Sequence, residues 1–252
     1  MSEERSSYRD SHRAPEKGRS YEEVYETQPW LRFLWERERL ILHRVVDECF
    51  SGRSIDLLDF ACGTGRITNF LEGLVTTSVG VDVSSSMLSV ARGKLARTEL
   101  IEADLTKSNV LSGRRFNLIT SFRFFLNAEP KLRVAALNAL VPLLADDGYL
   151  VLNNHRNLSS PIVFPTYLYS RLRGDDSNFM LLSQVKELVE SVGLEINRVY
   201  PVGVLSIPRF MPPDSWNVFA DDFVLRHPSL AFLSESPIIV CRHRAEASRE
   251  RA

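Results

Sequence analysis

The sequence predicts an α/β protein: a mostly parallel seven-stranded sheet with helices on both faces, helical sequence ahead of the first strand, and a long insertion between the last two strands. Three observations predict it. Short apolar runs rich in Val, Ile, Leu and Phe alternate with stretches of helical spacing between residues 55 and 155. Within each run apolar residues follow one another almost without interruption, the pattern of strands covered on both faces. Glycine-rich or acidic residues then follow the runs at their C-terminal ends, where ligands sit in such sheets.

Taken in order, residues 21–50 carry Val24, Trp30, Leu31, Leu34, Trp35, Leu40, Ile41, Val45 and Val46 near helical spacing and predict one or two amphipathic helices. "IDLLDFA" is the first strand, followed by a helix from Arg66 to about Gly73. "SVGVDV" is the second strand, with a helix from Ser85 to about Ala96. "TELIEAD" and "FNLITSF" are the third and fourth strands, and a helix over 130–144 leads to the fifth, "GYLVLNNH". Residues 156–178 read as loop, 181–192 as helix, and "LEINRVYPVG" and "SPIIVCRHR" as the last two strands. Between those strands, residues 204–235 contain Pro208, Pro212, Pro213 and Pro228 and an apolar helical stretch near 216–225. A connection that long in a compact domain usually serves function, so it is expected to cap the site.

The bulk properties set outer limits. With 252 residues, 44% hydrophobic, the chain can form one large domain, expected over 21–252, behind a charged, Ser-rich tail at 1–20. A net charge of -1 offers no global attraction for nucleic acid or an anionic membrane. No apolar run approaches the roughly 20 residues a bilayer span needs. Cys49, Cys62 and Cys241 match neither a metal-ligand spacing nor a disulfide framework, which fits a cytoplasmic protein without a metal. The expected partner is a small molecule, not nucleic acid or membrane, and the oligomeric state stays open between monomer and homodimer.

"LLDFACGTGR" brings a strand into Gly63-Thr64-Gly65 and then a helix, a device that lets backbone approach a ligand. Alone it is weak evidence, since two glycines can simply make a tight turn. A dinucleotide fingerprint would want a third glycine where Thr68 stands, and a phosphate loop would want Lys and Ser or Thr where Arg66 and Ile67 stand. Asp82 ends the second strand, where a carboxylate can accept bonds from both ribose hydroxyls. Asp104 ends the third and could receive an adenine amino group, although by itself it could equally cap the next helix. Asp59 with the glycines, Asp82 and Asp104 at three successive strand ends describe an adenosine site without phosphates.

"LDFACGTGR", "GVDVSSSML" and "IEADLT" resemble the successive cofactor motifs of class I S-adenosylmethionine-dependent methyltransferases, whose sheet is Rossmann-like; the resemblance covers about residues 55–155. It implies S-adenosyl-L-methionine as cofactor. Gly63 and Gly65 would then face the methionine portion, Asp59 its amino end, Asp82 the ribose and Asp104 the adenine amine. Val83, Met87 and Leu105 would pack on the adenine, with Ala61, Thr64, Arg66 and Phe122 completing the cofactor set. Met87 has a second reading as core filler on an amphipathic helix.

Methyl transfer from a sulfonium is an in-line displacement that depends on holding the acceptor near the methyl carbon. A hydroxyl acceptor must also lose a proton, and His155, ending the fifth strand in "LVLNNHRN", is the candidate base. A lone histidine is also commonly a structural group. Arg123 and Asn127 in "SFRFFLNAEP", Asn154 beside the histidine, and Tyr21, Tyr25 and Trp216 are the candidate acceptor contacts, with Phe210 and Phe219 as further wall residues. The Asn/Asp-Pro-Pro-Tyr/Phe and Pro-Cys motifs of amino- and cytosine-methylating relatives are absent. The chain resembles small-molecule enzymes acting on a sugar or specialised metabolite, with oxygen the favoured acceptor atom. Two other readings are a non-catalytic S-adenosylmethionine-binding partner or sensor, and a nicotinamide-dependent oxidoreductase, which Thr68 disfavours.

Overall fold

The computed structural model describes residues 27–174, 178–206 and 212–245. The expectations on the 1–20 tail and on Tyr21, Tyr25 and Phe210 fall outside them. Chain order is α1 (Pro29–Phe50), β1 (Asp56–Phe60), α2 (Arg66–Leu71), β2 (Thr77–Asp82), α3 (Ser85–Arg92), β3 (Glu99–Glu102), β4 (Phe116–Ser121), α4 (Pro130–Leu140), β5 (Leu144–Asn153), α5 (Phe164–Leu172), α6 (Leu182–Glu190), β6 (Leu194–Tyr200), α7 (Asp214–Arg226) and β7 (Ile238–His243). Short 3₁₀ turns occupy Val141–Leu143 and Pro228–Leu233. Among the described residues no helix is long and apolar enough to cross a membrane.

All seven strands form one sheet in the order β3-β2-β1-β4-β5-β7-β6. Neighbours from β3 to β5 are parallel, while β7 runs antiparallel to both β5 and β6. The sequence order reverses between β1 and β4, and at that switch two neighbouring strands send their connections to opposite faces and leave a crevice at their C-terminal ends. This is the Rossmann-like sheet expected from the sequence.

The strand period of two divides the core between the faces. Leu58, Ile119, Leu150, Leu152 and Ile239 pack with Leu137 of α4 and Val185 and Val189 of α6. Leu57, Leu118, Val151 and Val240 pack on the other face with Leu34, Ile41 and Val45 of α1 and Ile67 and Leu71 of α2. Each such buried side chain contributes about 1.5–3 kcal/mol of transfer free energy. Among the described residues, the periodicity from Trp30 to Val46 lies in one helix, α1, which starts at Pro29, where proline's fixed φ and missing N–H cost nothing.

Two departures from the sequence expectation concern exposed apolar residues. Residues 156–178 contain α5, whose Phe164, Leu168, Tyr169 and Leu172 lie 48–79% exposed and so give no buried stripe for periodicity to find. On α7, Trp216 and Phe219 are 64% and 69% exposed. They point to solvent because α7 turns its opposite side to α1: Arg37 donates to Asp221 at 3.2 Å and to Asp222 at 2.7 Å. Asp221 also accepts the backbone N–H groups of Gly203 and Val204.

Candidate active site

The turn after β1 is built from left-handed backbone: Ala61, Gly63 and Gly65 have φ of 57°, 56° and 77°. The two glycines do different work. A Cβ on Gly63 would meet nothing within 4 Å, so its backbone borders open space. A Cβ on Gly65 would lie 3.0 Å from Leu95 and 3.2 Å from Ala91, so Gly65 lets α2 start close against the segment after α3. Gly65 therefore does not face the site as expected; its bare side is turned into the packing.

Asp82 fixes this turn. Gly63 N–H donates to its Oδ2 at 2.8 Å and Ser84 N–H to its Oδ1 at 2.9 Å. Asp59, on β1, accepts from Thr68 at 2.5 Å and from Thr120 at 2.8 Å. Burial pushes its carboxyl up to about 6, against the lowering effect of those two hydroxyls and of Arg66.

A cleft of about 360 Å³ opens over this turn and along the ends of β4 and β5. Asp59, Ala61, Gly63, Thr64, Arg66, Asp82, Met87, Phe122, Arg123, Asn127 and His155 all line it. A smaller hollow adjoins it at Ala61 and Asp82 and holds Val83, Asp104 and Leu105 between Phe60 and Phe124. Asp104 is oriented by Thr106, whose backbone N–H and hydroxyl both donate to Oδ1. Asp82 and Asp104 thus fall in sequence along two adjoining hollows, and the open face of Gly63 borders free space beside Asp59. The residues present fit S-adenosylmethionine.

At the far end of the cleft His155 is buried, with Nδ1 3.1 Å from Oε1 of buried Glu235. Trp30 stacks near it, ring centroids 6.1 Å apart and planes 16° from parallel. Burial, with Arg123 in support, pushes the imidazole down to about 4 in spite of the Glu235 carboxylate. Burial also works against ionised Glu235, but His155 and Arg123 outweigh it and hold the carboxyl below the usual range.

Glu38 of α1 underlies the same region. It is fully buried and receives Arg66 at 2.8 Å and Arg123 at 3.3 Å. Its burial alone would raise its pKa; the two guanidiniums reverse the sign and keep it ionised. Asn153 links it to the sheet, donating weakly to Glu38 at 3.4 Å while accepting Arg123 N–H at 2.7 Å.

Two candidate acceptor contacts are not in the cleft. Asn154 is buried and spends its amide on Asn157 and the Met180 carbonyl. Trp216, like Phe219, lies on the exposed side of α7, and no described residue of 204–235 lines the cleft; Glu235 reaches it only through His155. Sequence reasoning missed Gln28 and Trp30 as lining residues, and Glu38 and Glu235 behind them. None of the four lies in a local motif.

Residues 57–148 match the family model described as a methyltransferase domain. No curated protein sequence matches the chain. Magnesium protoporphyrin IX methyltransferase from Synechocystis PCC 6803, solved with S-adenosylhomocysteine, is 12% identical with a TM-score of 0.65, covering 94% of this chain and 97% of that one. A possible histamine N-methyltransferase from Thermotoga maritima is 14% identical with a TM-score of 0.63, over 90% and 95%. The plantazolicin methyltransferase, solved with S-adenosylhomocysteine, is 16% identical with a TM-score of 0.58, over 92% and 91%. At these identities the likeness is one of fold. Together with the order of strand-end motifs, the family match from β1 into β5 supports a methyltransferase domain on a class I fold.

Proposed function

We propose that the chain methylates a hydroxyl oxygen of a small molecule, of the sugar or specialised-metabolite class, with His155 taking the hydroxyl proton. One observation carries the reading: Asp82 and Gly63 line the same cleft as His155, so the residues proposed for the cofactor and a titratable group border one space. The similarity in fold to enzymes named for magnesium protoporphyrin IX and plantazolicin supports a small-molecule acceptor.

When bound, S-adenosylmethionine supplies an electrophilic methyl group on a sulfonium. Asp82 would take the ribose hydroxyls, Asp104 the adenine amine, with Val83 and Leu105 against the ring, and Asp59 the amino group. Thr64, Ala61, Met87 and Phe122 close the groove around them, which orients the methyl and keeps water away. His155 is neutral at pH 7 and can accept a proton. Glu235 acts as a positioning residue: its carboxylate, with Oε1 3.1 Å from Nδ1, would stabilise the imidazolium that forms when Nε2 takes the proton.

The test is incubation of the protein with a metabolite extract and isotopically methyl-labelled cofactor, read by mass spectrometry. The expected result is a labelled methyl ether of low molecular mass. Label on nitrogen or carbon would refute the hydroxyl assignment, and no labelled product would favour the non-catalytic binding reading.

A further inference from the structure

Two arginines stand on the rim where β4 and β5 end, and both occupy left-handed backbone that a non-glycine residue adopts only at a cost: Arg123 at φ 62° and Arg156 at φ 57°. Both line the cleft beside His155. Their charges are handled differently. Arg123 is ion-paired to buried Glu38, which also holds Arg66. The Arg156 guanidinium forms no hydrogen bond or ion pair with a described residue; it lies over the Phe179 ring, Cζ 5.9 Å from the centroid. Stacking occupies a guanidinium's face and leaves its edge donors free for a planar anion. The carboxylate on that side, Glu235, is turned to His155.

Resting on the methyl-transfer reading above, we propose that Arg156 determines acceptor specificity by binding a carboxylate on the acceptor, so that the molecule methylated is a hydroxy acid. The carboxylate would meet the edge of the Arg156 fork bidentately, while the hydroxyl is presented to His155. Trp30, nearly parallel to the imidazole, offers a flat apolar wall that suits a planar acceptor. Arg156 does not move the proton; it selects and orients.

One other anion could use the same guanidinium: the carboxylate of the cofactor's own methionine portion. The experiment separates them. The full chain saturated with S-adenosylhomocysteine is titrated by calorimetry with 3-hydroxybenzoate and with 3-hydroxybenzamide, which differ in one charge. The expected result is at least tenfold tighter binding of the benzoate, a preference that drops below threefold in Arg156→Gln, with S-adenosylhomocysteine affinity equal in the two proteins. Equal affinity for the two probes, binding of neither, or a preference that survives in Arg156→Gln overturns the proposal. So does a loss of S-adenosylhomocysteine affinity in Arg156→Gln, which would assign the guanidinium to the cofactor. Failure of the underlying methyltransferase reading is distinguishable, because wild type would then not bind S-adenosylhomocysteine at all.

Discussion

Nδ1 of His155 lies 3.1 Å from Oε1 of Glu235; the two side chains, 80 positions apart in the chain, are both buried, and His155 lines the cleft. The carboxylate favours the imidazolium, burial and two arginines oppose it, and the balance leaves a neutral imidazole over the physiological range.

Replacing the imidazole should therefore affect the chemical step alone. His155→Ala is expected to lower kcat about 10²-fold with S-adenosylhomocysteine affinity unchanged, because general-base help acts only in the transition state. Steady-state kinetics beside calorimetry checks this, and near-normal turnover in a folded variant would return His155 to a structural role.

The acid limb of the pH profile carries a second expectation. With its pKa pushed down to about 4, His155 stays neutral as pH falls through 6.5 and takes up its proton only near 4, so turnover should hold to about pH 5 and fall below that. Glu235→Gln removes the charge that favours the imidazolium. It should move the limb to still lower pH and reduce kcat roughly tenfold, about 1.4 kcal/mol of lost charge stabilisation of the imidazolium. A limb that stays in place in Glu235→Gln would separate Glu235 from the imidazole.

Asp59 titrates in a different window. Its pKa, raised by burial to about 6, means that the carboxyl is neutral below that pH and cannot pair with an ammonium group. S-adenosylhomocysteine affinity should fall as pH drops below 6, by up to about tenfold per unit for one linked proton. Asp59→Asn should flatten that dependence. Calorimetry at pH 5 and pH 7.5 decides it, and identical slopes in both proteins would remove Asp59 from the amino-group role.

Much of this was readable in the sequence because it is local. Asp59, Asp82 and Asp104 stand at or just past the C-terminal ends of three successive strands, so the strand pattern and the chemistry are marked within ten residues. Glu38, Glu235 and Trp30 are not readable that way: an acidic residue or a Trp within helical sequence or an insertion signals nothing until the fold carries it to a strand end. Trp216 shows the converse. Helical spacing reveals that aromatic residues share a face of α7, but not whether that face meets the protein or water, and Arg37 with Asp221 settles the rotation the other way. Gly65 was assigned to the ligand when its bare side faces Leu95, a packing constraint invisible in a motif.

Glu38 ties α1 to the site through charges removed from water. Glu38→Ala would leave Arg66 and Arg123, whose side chains are 13% and 11% exposed, without their shared carboxylate. A loss of about 3–5 kcal/mol of unfolding free energy is expected, the scale for breaking a buried pair from one side. Urea denaturation measures it; a loss under about 1 kcal/mol would mean that water replaces the carboxylate and that the apolar face of α1, Leu34, Ile41 and Val45 among it, and the Arg37–Asp221 pair hold the helix.

The most direct test of the account is calorimetry of S-adenosylhomocysteine with the wild type and Asp82→Ala, since Asp82 both fixes the Gly63 turn and faces the cleft. One-to-one binding is expected, weakened in Asp82→Ala by about 1.5–3 kcal/mol, the usual worth of hydrogen bonds to a charged group, with no heat from NAD in either protein. Unchanged affinity in a folded Asp82→Ala protein, or NAD binding in place of S-adenosylhomocysteine, would contradict the cofactor site as described.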